Sequence, residues 1–148
     1  MRMRLLPAVL MLGCVLAGTL RADLKQALAE PNLGKRSKLA LDNAAVALKA
    51  ARDAYGKGDN EKVTAAAAEI QQSVDLAYDS LLKTGKNPRS SPKWFKQAEI
   101  TTRDLSRKLE NFQQDMDYGD RPLLDQVKAR VQQVHDELLL GLMEGKRK

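Results

Sequence analysis

The chain has 148 residues, 43% of them hydrophobic and 30% charged, with a formal net charge of +6. That length suits one domain, and that composition excludes collagen-like, low-complexity and wholly disordered chains. One cysteine and one histidine exclude a disulfide framework and most metal centres. Positive charge in so small a chain raises a nucleic-acid reading, so where the charge sits is the first question.

Residues 1–22 read MRMRLLPAVLMLGCVLAGTLRA. Arg2 and Arg4 precede an apolar run from Leu5 to Leu20, and Ala22 offers a small residue for cleavage before Asp23. These are the parts of a secretory signal peptide. The run is shorter than the about 20 apolar residues of a membrane span. A lipid anchor at Cys14 is the alternative, because Gly13 precedes it. Met11 and the apolar continuation through Val15, Leu16 and Ala17 argue against that. Cleavage after Ala22 leaves a chain without cysteine, exported to a periplasm or beyond, whose stability comes from packing.

Three arginines leave with the signal and no acid does. Residues 23–148 then carry 22 basic and 19 acidic side chains, and Lys146, Arg147 and Lys148 account for the difference. The body, 23–145, is neutral, so the nucleic-acid reading loses its support.

The body shows helical periodicity throughout. A short segment, Asp23 to Glu30, ends in the turn Pro31-Asn32-Leu33-Gly34. The first predicted helix, 34–56, has the seam Leu41, Ala44, Leu48, Ala51, Tyr55, and Gly56 and Gly58 end it. Asp59 is an N-cap for the second, 60–84, with the seam Val63, Ala67, Ile70, Val74, Ala77, Leu81 and a stop at Gly85. The third, 92–117, follows an N-cap at Ser91 with Pro92 in first position. Its seam is Phe95, Ala98, Thr102, Leu105, Leu109, Phe112, Met116, and Gly119 ends it. The fourth, 121–144, is capped by Asp120, carries Pro122 in its first turn and buries Leu124, Val127, Val131, Val134, Leu138 and Leu142 before Gly145. Four singly striped helices joined by short loops predict an all-α, up-down-up-down antiparallel four-helix bundle over 23–145, with coiled-coil-like seams and a basic tail at 146–148. The two hairpins align at an offset of 61 residues, although any two hairpins of equal length would align their seams. The first hairpin is rich in alanine, so its helices can approach closely. The second carries Trp94, Phe95 and Phe112.

Signals for chemistry are few. His135 is the single imidazole. A di-metal bundle needs Glu-x-x-His on two helices, and position 132 is Gln. Covalent haem needs cysteines that the mature chain lacks, and Met116 and Met143 are its two methionines. The stretch Asp115 to Asp120 fails the calcium-loop pattern, with Gly119, Asp120 and Gln126 at its fifth, sixth and twelfth positions. Asp75 and Asp79 lie one turn apart and read as a solvated face. No nucleophile elbow or phosphate loop occurs, and Gly56-Lys57-Gly58 lacks the rest of one. No enzyme, cofactor or metal is therefore expected. A ligand or metal carrier using the bundle core near His135 is the alternative.

The charge is segregated. In such a bundle the loop between the second and third helices shares one end with the start of the first helix and the end of the fourth. Lys83, Lys86, Arg89, Lys93 and Lys96 lie in or beside that loop, Lys35, Arg36 and Lys38 at the first helix, and Lys146, Arg147 and Lys148 in the tail. Eleven cations thus share one pole. The other pole carries Asp115, Asp117, Asp120 and Asp125 against Arg121. Helix dipoles explain cations at helix C-termini but not Lys93, Lys96 and Lys35 to Lys38 at N-termini. The basic pole, with Trp94 as an aromatic anchor beside its lysines, points to a partner that is an envelope protein or an anionic surface. Phe95 lies on a seam and reads as core.

The stretches Thr84 to Lys93 and His135-Asp136-Glu137-Leu138-Leu139 resemble recurring segments of small, uncharacterised secreted bacterial helical proteins. The resemblance covers most of the mature chain. It implies an exported helical protein and supplies no activity and no functional residue.

Overall fold

The computed structural model describes the backbone from residue 19 to residue 145 and the side chains from residue 24. Residues 1–18, most of the expected signal peptide with Cys14, and the tail Lys146, Arg147 and Lys148 lie outside the described residues. The elements in order are α1 (Thr19–Ala29), α2 (Leu33–Gly56), α3 (Asn60–Lys83), α4 (Lys93–Asp115), a 3-10 turn (Tyr118–Leu124) and α5 (Asp125–Glu144). The four long helices match the four predicted ones within a few residues, and the fold is an all-α bundle. Among the described residues no helix is long and apolar enough to cross a membrane.

The seams face inward. Leu41, Ala44, Leu48 and Ala51 of α2 are buried, as are Val63, Ile70, Val74 and Leu81 of α3. Phe95, Leu105, Leu109 and Phe112 of α4 meet Val127, Val131, Val134 and Leu138 of α5 in the same core. Tyr55 and Leu142 are partly buried against it. The alanines do what their size allows. Ala40, Ala44, Ala47 and Ala51 on α2 and Ala66 and Ala77 on α3 are buried, and these two helices form the most extensive contact in the molecule.

Successive long helices reverse direction. The two hairpins then lie side by side, so that α2 neighbours α4 and α3 neighbours α5, while α3 and α4 sit on a diagonal. Both cross-hairpin pairs run parallel. At one end of the α2–α4 pair the Trp94 ring lies on Gly34, and at the other Arg52 reaches Asp115 at 3.3 Å. Between α3 and α5, Arg130 Nε meets Asp75 at 2.6 Å, and further along both helices Tyr78 and Glu137 line one groove. The loop 84–92 therefore crosses one end of the bundle diagonally, under the C-terminus of α5, where Pro88 touches Gly141.

Helix ends show which local signals operate. Asn32 caps α2, its side chain accepting the Lys35 N–H at 3.0 Å, and Asp59 caps α3 by accepting the Lys62 N–H at 3.1 Å. Gly58, Gly85 and Gly145 take the left-handed φ of 74°, 66° and 77° that other residues resist. Three local expectations are corrected. Pro92, not Ser91, stands at the N-cap of α4, with no side-chain cap. Asp120 does not cap α5, because the 3-10 turn around Pro122 delays that helix to Asp125. Gly119 lies inside the same turn, and α4 has already ended at Met116. The segment ahead of Pro31 is a helix, α1, which begins before the boundary expected at Ala22. It buries Ala27 against α2 and is tied to it by Arg36 Nε donating to the Glu30 carbonyl at 2.9 Å.

Candidate functional site

The start of α2, the end of α3, the loop 84–92, the start of α4 and the end of α5 do share one pole. Lys83, Lys86, Arg89, Lys93 and Lys96 are all exposed there, and none forms an ion pair with another described residue. Lys93 instead holds its ammonium over the Trp94 ring, 4.8 Å from the centroid. At the start of α2, Lys35 is exposed, Arg36 is spent on the Glu30 carbonyl, and Lys38 pairs with Asp42 at 2.8 Å. Glu30, Asp42 and Glu144 are acids described at this end, and the Glu30 carboxylate accepts the Asn32 N–H.

Trp94 is only half-buried, yet it is not a free anchor. Its indole covers the backbone of Gly34, so closely that a methyl group there would run into the ring. The aromatic residue expected to project toward a partner thus also closes the α2–α4 seam. Phe95 is core, as its seam position indicates.

The opposite pole is built differently. Three of its four carboxylates are consumed by the fold. Asp115 meets Arg52, and Asp120 accepts from the Tyr55 hydroxyl at 3.0 Å and from Asn60 at 3.2 Å. Asp125 accepts from Gln113 Nε2 at 2.7 Å, the same nitrogen that reaches the Arg121 carbonyl at 2.8 Å. Tyr55 is the hub, since its oxygen also accepts the Asp117 N–H at 2.8 Å. That N–H alone would lower its pKa. Lost hydration and the Asp120 and Asp117 carboxylates outweigh it and hold the phenol above its ordinary value. The stretch tested as a calcium loop is therefore a hydrogen-bonded turn.

The remaining candidates are also paired. His135 bridges α5 to α4, its Nε2 lying 3.0 Å from Glu99, a carboxylate only 7% exposed, and its Nδ1 lies 3.3 Å from Asp136. Arg103 approaches the same Glu99 oxygen at 3.5 Å. Glu99 has no motif to mark it and reads as a surface residue in the sequence. Among the described residues no group of three His, Cys, Asp or Glu side chains is placed to hold a metal ion. Asp75 is taken by Arg130, whose pKa that bond raises, rather than coupled to Asp79.

Two concavities open at the basic pole. One, of about 160 Å³, lies under the loop between Lys86, Lys93, Trp94 and Leu81. The larger, of about 310 Å³, runs between α3 and α5 and is walled by Leu82, Phe95, Leu138 and Leu140. Leu82 and Leu140 are 55% and 40% exposed, and Met143 on the last turn of α5 is 66% exposed. Sequence reasoning placed the cations but missed this apolar company, because a leucine just off a seam looks the same whether or not a neighbour covers it. Comparison with protein-family models, with curated proteins and with solved structures gave no match.

Proposed function

We propose that this is an exported, non-enzymatic helical-bundle protein that binds an anionic envelope surface through its basic pole. The observation that carries the reading is the contrast between the poles. At one end Asp115, Asp120 and Asp125 are tied into the fold, whereas at the other Lys83, Lys86, Arg89, Lys93 and Lys96 form no ion pair with a described residue. Unpaired cations crowded at one end repel one another, so a fold that keeps them gains from an external anion. Export is supported by the pattern of residues 1–22.

A lipid surface is favoured over a glycan or an acidic protein. Leu82, Leu140 and Met143 are exposed near the same end, where apolar side chains can enter the headgroup region while lysines reach phosphates. Each such cation contributes about 1 kcal/mol near an anionic membrane surface. The test is sedimentation with vesicles of anionic and of neutral lipid. The protein should bind the anionic vesicles alone. Replacing Lys86, Arg89, Lys93 and Lys96 by alanine should abolish binding, and unchanged binding would sink the reading.

A further inference from the structure

The groove between α3 and α5 has features that surface docking alone does not need. At about 310 Å³ it falls at the lower limit of small-molecule sites, roughly 300–1,000 Å³. Its long walls are Leu82, Leu138 and Leu140 with Phe95, an apolar trough rather than a flat patch. Its two ends differ chemically. At the inner end Tyr78 and Glu137 line the groove together. Burial first, then the Glu137 carboxylate beside it, pushes the Tyr78 phenol up to about 12, so it stays protonated. The Glu137 carboxylate at that end repels a second anion. At the outer end Lys86 lines the mouth and forms no ion pair with a described residue, with Arg89 three positions further along the loop. Glu144 is also at the rim and has a partner of its own. Pro88 seats on Gly141 at this end, where any side chain would press on the proline ring, so the loop is held against α5 and the trough keeps its shape.

An apolar trough with a phenol and a carboxylate at one end and, at the other, an ammonium that pairs with no described residue matches one ligand chemistry. We propose that the α3–α5 groove binds a medium-chain fatty acid, its acyl chain between Leu82 and Leu140 and its carboxylate at Lys86. The proposal deepens the reading of the basic pole and rests on it, since Lys86 serves both.

The test is amide-shift titration of the purified protein with dodecanoate below its micelle concentration, alongside dodecanol and dodecyltrimethylammonium. Shifts should concentrate at Leu82, Leu140, Gly141 and their neighbours. Lys86→Gln should weaken dodecanoate about threefold and leave dodecanol unchanged. Leu140→Trp and, separately, Leu82→Trp fill the trough from exposed positions that folding tolerates. Each should weaken dodecanoate about tenfold, the equivalent of losing roughly two buried methylenes. Shifts spread over the whole surface, equal binding of the cationic amphiphile, or full binding by both tryptophan variants would overturn the proposal. So would a dimer that these variants dissociate while dodecanoate moves no amide, which would make the trough a contact between copies. Anionic vesicles separate the two readings. If dodecanoate fails to bind while vesicles still do, the groove proposal falls and the pole reading stands, and if neither binds both fall.

Discussion

Gly34 offers a sharp test of the side-by-side arrangement. It is the second residue of α2, 60 positions before Trp94 in sequence, and a methyl group built on it collides with the indole ring. Alanine there gains helix propensity of about 0.8–1 kcal/mol at most, and less so near a helix end. The collision forces the ring or α4 to move, and such overpacking costs about 1–3 kcal/mol. Gly34→Ala should therefore destabilise the protein by about 1–2 kcal/mol. Trp94→Ala removes the obstacle, so in that background Gly34→Ala should be neutral or stabilising. The double-mutant cycle should then give a coupling of at least about 1 kcal/mol. Urea unfolding followed by far-ultraviolet circular dichroism measures all four proteins, because that signal does not depend on the single tryptophan. Additivity within about 0.5 kcal/mol would mean that Gly34 and Trp94 do not touch. The parallel packing of α2 on α4 would then be wrong at this end.

Two further outcomes are expected. Tyr55→Phe removes the acceptor of the Asp117 N–H and the donor to Asp120, and should lower stability measurably in the same urea assay with faster amide exchange in the turn 116–121, while a silent substitution would mean that this hub is not structural. The Tyr78 phenol is protonated more firmly in the fold than in the unfolded chain, so its contribution is complete below about pH 10 and is lost as pH rises through about 12. Stability of the parent should therefore fall more steeply than that of Tyr78→Phe over this window, and parallel curves would refute the Tyr78–Glu137 contact.

What the sequence revealed was local. The seam residues, the Asp59 cap and the glycine stops at 58, 85 and 145 act within one helix or one turn, so periodicity and residue type expose them directly. Loop order then placed the cations at a common end whichever way the hairpins pack. The misses all involve a partner on another element. Glu99 looks like an ordinary flank residue until α5 brings His135 beside it. Tyr55 fitted the apolar seam, and its hydroxyl became the centre of the acidic pole only when the 3-10 turn folded onto it. Asp120 had the residue type of a cap, but Pro122 shaped a tighter turn and left that carboxylate to Tyr55 and Asn60. α1 was passed over because a segment of eight residues carries little periodicity, and packing of Ala27 on α2 supports it instead.

The central claim is that position, rather than amount, of positive charge makes the binding surface. Two five-charge variants with the same net charge test it most directly. One neutralises Lys83, Lys86, Arg89, Lys93 and Lys96 at the basic pole, and the other neutralises Lys49, Lys57, Lys62, Arg107 and Lys108, exposed elsewhere. Affinity for anionic vesicles should collapse in the first and stay within about threefold of the parent in the second, with the parent's binding weakening as salt shortens the screening length. Equal losses in the two variants would contradict the account, because net charge alone would then explain binding.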